Sequence, residues 1–166
     1  KAARKDYVYF KTEHHWTEWG AFIGYQTLME RIRKDFPSAH EVKETDYVIF
    51  YDKRIRGDWE RQFTPGQTFQ MMNLPYRPEK LLDTEYKYYT PIREIRPTIT
   101  DIPYYKIKSF QNPDPNASAI KVFLAGTSMN ENLLQFLPYS FRQLTYYRLN
   151  NVQNVSYQDG FKIISK

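Results

Sequence analysis

A chain of 166 residues with 41% apolar and 26% charged side chains is the size of one ordinary domain, so it can bury a core without disulfides and is not a disordered segment. Its net charge of +5 comes from scattered lysines and arginines, the densest group being Lys53, Arg54, Arg56 and Arg61, and nothing resembles the continuous basic stripe of a nucleic-acid-binding surface. The absence of cysteine excludes disulfide frameworks, thiolate zinc sites and a cysteine nucleophile together, and no apolar run approaches the ~18 residues of a membrane span.

In chain order, residues 6–11 are β-branched and aromatic and predict a buried strand. A loop carrying Glu13, His14, His15 and Trp16 follows. Phe22, Tyr25, Met29, Ile32 and Phe36 then recur at helical spacing and predict a helix over 17–35, with Thr17 as N-cap and Pro37 as its stop. His40 is expected to face solvent beyond it. Residues 46–51 predict a second strand.

The stretch 53–119 is irregular and holds eight of the ten prolines, all but Pro37 and Pro138. It reads as an insertion within a single domain spanning 1–166, with short strands at 86–89 and 104–110 and a closing turn at 111–116. Regular structure resumes with a strand at 120–125, a tight turn at Gly126, Thr127 and Ser128, a helix over 130–141 and a strand at 143–149. Strand, turn, helix and strand at this spacing make a βαβ unit, which predicts a parallel sheet. The start at Lys1 and the helix-like run 160–166 at the end suggest a piece of a longer protein, with any targeting or anchoring segment outside it.

Two short segments carry candidate chemistry. Ser128 follows a strand and opens a helix, which places it at the carboxyl edge of a parallel sheet, where open α/β folds bind ligands. Backbone amides at the helix start, expected at Ser128 and Met129, suit an oxyanion, and Gly126 lets the chain turn sharply. Asn130 and Asn132 are close enough in sequence to assist. A structural alternative is equally plain: Ser128 with Glu131, three residues on, is a capping-box pattern.

The second segment is Glu13, His14, His15 and Trp16. A carboxylate two residues before an imidazole can hold its Nδ1–H and leave Nε2 as a base. The start of the following helix disfavours imidazolium there, and Trp16 can wall the site against water. The alternatives are a loop histidine pair without a role and a metal site from Glu13, His14 and His15, for which the spacing is poor.

Taken together, the segment from Tyr9 through Glu13, His14, His15, Trp16 and Thr17 to Gly20 and Ala21 resembles the acid–x–His–Trp signature of the DHHW family. It is also similar to the related alginate O-acetyltransferase-like proteins of the SGNH hydrolase superfamily. Val122 to Ser128, ending Gly-Thr-Ser, resembles their nucleophile turn, and the order, histidine motif before serine, agrees. Arg56, Gly57 and Asp58 are similar to a Gly-Asp element of some relatives.

The resemblance implies a three-layer, flavodoxin-like α/β fold, incomplete in this chain. It assigns Ser128 as nucleophile, His15 as general base and Glu13, in place of the usual Asp, as its orienting acid, with no metal and no cofactor. It further implies O-acetylation of an extracellular polysaccharide, from an acyl donor and in concert with a membrane-bound O-acyltransferase, in an extracytoplasmic setting such as the periplasm or bacterial cell surface. A carbohydrate esterase or deacetylase on the same residues, and a non-catalytic glycan-binding or assembly protein, are the rival expectations. The aromatic content of 17%, with 15 Tyr and 11 Phe, fits either a tyrosine-rich core or a surface that stacks on sugar rings.

Overall fold

The structure is a computed structural model that describes residues 8–10, 14–52, 86–91, 98–101 and 107–149. The chain divides into two compact units, residues 1–23 with 48–90, and residues 24–47 with 91–166. Helix α1, Glu18–Asp35, begins in the first and ends in the second.

The start of α1 is built by Thr17. Its hydroxyl oxygen accepts the Gly20 amide at 3.0 Å and donates to the Val8 carbonyl at 3.3 Å, in a buried setting. The expected N-cap is therefore present, and it also ties the helix to the preceding segment. That segment differs from expectation. Where a strand was predicted over 6–11, the described residues 8–10 form only an isolated antiparallel bridge, Tyr9 with Trp16. Bonds from the Thr17 amide to Val8 O (2.9 Å) and from the Phe10 amide to His15 O (3.3 Å) flank it. The chain doubles back over a handful of residues, a closure that costs little entropy.

Phe22, Tyr25 and Met29 are buried along α1 as their spacing predicts. Phe36 is not: it is 51% exposed, because α1 ends at Asp35 and Pro37 redirects the chain. His40, expected in solvent, is half-buried. A 3-10 turn, Glu44–Asp46, leads into β1, Tyr47–Asp52, which pairs with β2, Tyr86–Pro91, in a two-stranded sheet. In the first unit Tyr89 of β2 stacks on Trp19 and Phe22, with ring centres 6.1 and 5.2 Å apart.

The second unit holds a four-stranded sheet of β3 (Thr98–Asp101), β4 (Ile107–Gln111), β5 (Ser118–Gly126) and β6 (Phe141–Arg148), in the order β3-β4-β6-β5. The sheet is mixed. β5 and β6 are parallel, as the βαβ pattern predicts, while β3–β4 and β4–β6 are antiparallel. β3 was not anticipated; Thr98, Ile99 and Thr100 are good strand formers in a run too short to stand out among prolines. Among the described residues β5 ends the strand order, and Val122, Phe123 and Leu124 on it are half-buried rather than enclosed.

The connection between β5 and β6 is the largest departure. The helix predicted over 130–141 is broken into α2 (Ser128–Glu131), a 3-10 turn (Asn132–Gln135) and α3 (Leu137–Ser140). Pro138 explains the break. It has no amide to give the Leu134 carbonyl, and its ring would strike that carbonyl in a continuous helix. Leu133, Phe136 and Leu137 still reach the core, so the apolar residues are buried by a different backbone path.

The core of this unit is tied by buried polar groups as well as by packing. Tyr25 Oη accepts the Val42 amide at 2.7 Å and bonds Ser140 Oγ at 2.7 Å. Phe136 packs on Tyr25 and Tyr47, with ring centres 5.6 and 5.5 Å away. The predicted turn at 111–116 is present. Asn112 Oδ1 accepts the Asp114 amide and Asp114 Oδ1 accepts the Asn116 amide. The Asn112 side-chain amide donates to the Pro138 and Tyr139 carbonyls, which anchors α3. The basic cluster at Lys53–Arg61, the Arg56-Gly57-Asp58 element, residues 104–106 and the run 160–166 lie outside the described residues.

Candidate functional site

The turn that delivers Ser128 is held by bonds within the second unit. β5 stays extended to Gly126, whose carbonyl accepts the Leu149 amide at 2.7 Å beyond β6. Thr127 is then the cap, with extended backbone at φ −87° and ψ −175°. Its hydroxyl accepts the Met129 amide at 3.4 Å, and its own amide donates to Asn130 Oδ1 at 3.0 Å. The Asn130 amide closes the turn on the Thr127 carbonyl at 3.0 Å.

The capping box therefore uses Thr127 and Asn130, one residue earlier than the predicted pair of Ser128 and Glu131. The reason is the length of β5: because it persists to Gly126, Ser128 is already the first helical residue and half-buried. Glu131 turns instead to cations on the sheet, 3.2 Å from Arg148 of β6 and 3.9 Å from Lys108 of β4. α2 has only four residues, so a summed helix dipole adds little at Ser128.

These bonds also bear on the other expected residues. The Met129 amide must release its long bond to Thr127 before it can serve an oxyanion. Asn130 has its side-chain oxygen committed to the turn, leaving the amide nitrogen as its donor. Gly126 is required by close approach, since a Cβ there would meet the Asn130 side chain.

One residue that organises this turn was not singled out from sequence. Tyr146 of β6 is fully buried, and its hydroxyl donates to the Thr127 carbonyl at 2.8 Å and the Gly126 carbonyl at 3.3 Å. Burial, with the Glu131 carboxylate beside it, pushes its pKa up to about 12, against a smaller lowering by Arg148. The sequence signal is faint: a tyrosine two residues before the end of the strand parallel to the one that delivers the serine.

The histidine segment belongs to the first unit. His15 is half-buried and His14 exposed, their rings 3.9 Å apart at the centres and tilted by 39°. The His15 carbonyl is held by the Phe10 amide, and Trp16 is half-buried at the bridge with Tyr9. Thr17 and Gly20, three residues apart, fix where α1 begins, and a Cβ at Gly20 would meet the Val8 carbonyl oxygen. Glu13, the expected acid, lies outside the described residues. Among the described residues no group of three His, Cys, Asp or Glu side chains is placed to hold a metal ion.

Residues 1–101 match the family described as the SGNH hydrolase-like domain of acetyltransferase AlgX, a span that contains the histidine segment and stops before the serine turn. No curated protein matches. Among solved structures, the chain is similar to a DHHW family protein from Eubacterium siraeum, with a TM-score of 0.66 and 15% identity over 99% of this chain and 58% of that one. It is also similar to PatB1 of Bacillus cereus, with a TM-score of 0.62 and 19% identity over 93% of this chain and 58% of that one. PatB1 with a sulfonyl adduct gives a TM-score of 0.60 and 17% identity over 94% and 57%. The chain thus spans less than three fifths of the length of these solved relatives; at such identities the likeness establishes the fold, and with the family match that fold is α/β of the SGNH kind.

Proposed function

We propose an acyl-transfer function on this premise: the chain belongs to the SGNH hydrolase-like domain family of acetyltransferase AlgX. In this reading the protein is an O-acetyltransferase acting on an extracytoplasmic polysaccharide. Ser128 is the nucleophile, His15 the base and Glu13 the acid that orients His15. The observation that carries it is the turn at the end of β5. Thr127 and Asn130 form the capping box, and Ser128 is presented as the first helical residue, two positions past the end of a parallel strand.

The chemistry runs in two halves. His15 removes the hydroxyl proton as Ser128 Oγ attacks the carbonyl of an acetyl ester or thioester. The Ser128 amide, joined by that of Met129 once its bond to Thr127 yields, stabilises the tetrahedral oxyanion. Collapse expels the donor's alkoxide or thiolate, which takes the proton from His15, and leaves acetyl-Ser128. A sugar hydroxyl then gives its proton to His15 and attacks the acetyl carbonyl; collapse of the second tetrahedral intermediate expels Ser128 Oγ, which takes that proton back from His15. The fuller proposal includes a membrane-bound O-acyltransferase as the source of the acyl group, and Trp16 as a wall that limits water.

The test is turnover of a chromogenic acetyl ester with and without an oligosaccharide acceptor. Wild-type protein is expected to release the chromophore, and Ser128→Ala to lower kcat by about a thousandfold or more. Acetylated oligosaccharide in the mass spectrum identifies a transferase; acetate alone identifies an esterase. One PatB1 structure carries a sulfonyl adduct, which makes a sulfonyl fluoride a suitable second probe. Absence of both ester turnover and sulfonylation at Ser128 would overturn the reading in favour of a non-catalytic glycan-binding protein.

A further inference from the structure

We propose that Tyr146 is a positioning residue for the Ser128 turn, acting through the two peptide groups that precede the serine. This rests on the acyl-transfer reading above and adds to it a residue on a different strand. The argument starts from the carbonyls of Gly126 and Thr127. Each already accepts one backbone amide, from Leu149 at 2.7 Å and from Asn130 at 3.0 Å. The single proton of the Tyr146 hydroxyl is shared between them, mainly as a second donor to Thr127 at 2.8 Å and more weakly to Gly126 at 3.3 Å.

A carbonyl with both lone-pair directions occupied has little freedom to rotate its peptide plane. The amide on the far side of the Thr127 peptide is that of Ser128 itself. Fixing the Thr127 carbonyl therefore fixes the direction of the Ser128 N–H, the first donor proposed for the oxyanion. It also fixes the φ angle from which the Ser128 side chain departs.

The local bonds of the turn do not achieve this alone. The hydroxyl of Thr127 acts on Met129 at the long distance of 3.4 Å, and Asn130 acts from an adaptable side chain. Tyr146 comes from β6, in register with Leu124 of β5, so its hydroxyl is referred to the sheet rather than to the turn it holds. It has no exposed surface, and with its pKa pushed up to about 12 it keeps its proton, and its role as donor, throughout the range in which an imidazole base works.

The test is Tyr146→Phe, which removes one oxygen and keeps the ring. Tyr47→Phe is the control: it removes another tyrosine hydroxyl bonded to a backbone carbonyl in the same unit, that of Gln135 at 3.2 Å, away from the turn. Tyr146→Phe is expected to lower kcat for the acetyl ester about tenfold with KM within about twofold, and to slow sulfonylation of Ser128 in step. Tyr47→Phe is expected to lose comparable thermal stability and keep the wild-type kcat. If Tyr146→Phe matches wild type in kcat and sulfonylation rate while Ser128→Ala is inactive, the positioning role is wrong and acyl transfer stands. A proportional loss in both tyrosine variants also overturns it, as mere destabilisation. If wild-type protein neither turns over ester nor reacts at Ser128, the acyl-transfer reading fails first and takes the positioning role with it.

Discussion

Both segments that carry the candidate chemistry open a helix with a threonine cap beside a glycine, yet the two are held in different ways. Thr17 is buried, its hydroxyl both accepts and donates, and the Gly20 backbone packs against a backbone carbonyl, that of Val8. Thr127 is exposed, its capping bond is long, and a Cβ at Gly126 would meet the Asn130 side chain rather than a backbone carbonyl. The histidine segment is thus set by buried backbone contacts within its own stretch of chain. The serine turn has an adaptable local cap, and its firm contacts come from β6. A turn that must admit a substrate can tolerate a loose cap if its peptide planes are referred to the sheet.

Substitutions at the four matched positions sharpen or break that contrast. Gly20→Ala should have the largest effect. The new methyl meets the Val8 carbonyl oxygen, a backbone atom, and the overpacking of about 3 kcal/mol exceeds the gain of ~1 kcal/mol in helix propensity. Thr17→Ala comes next, at about 2 kcal/mol, since it removes a buried cap and leaves the Gly20 amide and Val8 carbonyl without it. Gly126→Ala should cost about 1–2 kcal/mol, because it displaces the Asn130 side chain from its Cβ outward and with it the bond to the Thr127 amide, and Thr127→Ala ~1 kcal/mol or less, because the bond lost is long and exposed. Urea unfolding midpoints measure all four. If Thr127→Ala proves as costly as Thr17→Ala, the serine turn is not loosely capped and the contrast fails.

The legible parts of the molecule are those where one local signal decides the outcome. α1 follows from an apolar face at helical spacing bounded by Thr17 and Pro37, and its cap is the residue predicted. β5 and β6 follow from β-branched and aromatic runs, and their parallel pairing from the length between them. The acid–His–Trp and Gly-Thr-Ser resemblances led to the same family that residues 1–101 match. The candidate residues themselves are placed only in part: Ser128, Met129 and Asn130 on the turn after β5, His15 and Trp16 on the segment before α1, and Glu13 outside the described residues.

Other features escaped because local signals competed. Two capping patterns overlap there: Thr127 with Asn130, whose Asn is a weaker box partner than Glu or Gln, and Ser128 with Glu131, the one legible in the sequence. The chain chooses the first because pairing with β6 keeps β5 extended as far as Gly126. Pro138 was legible as a breaker, yet the helix around it is divided rather than ended, since Leu133, Phe136 and Leu137 must all be buried on a short crossover. Phe36 fits the helical period but falls one residue past the end of α1.

Composition and periodicity by themselves determined an α/β protein with a helix after the histidine segment and a parallel βαβ unit around Ser128, because backbone hydrogen bonding and apolar spacing act over a few residues. Tertiary structure alone decided that Thr127 rather than Ser128 caps the turn, that Glu131 faces Arg148 and Lys108, and that Tyr146 holds the two carbonyls ahead of the serine. Each of those outcomes depends on which strand lies alongside β5, a contact between positions many residues apart that no local preference encodes.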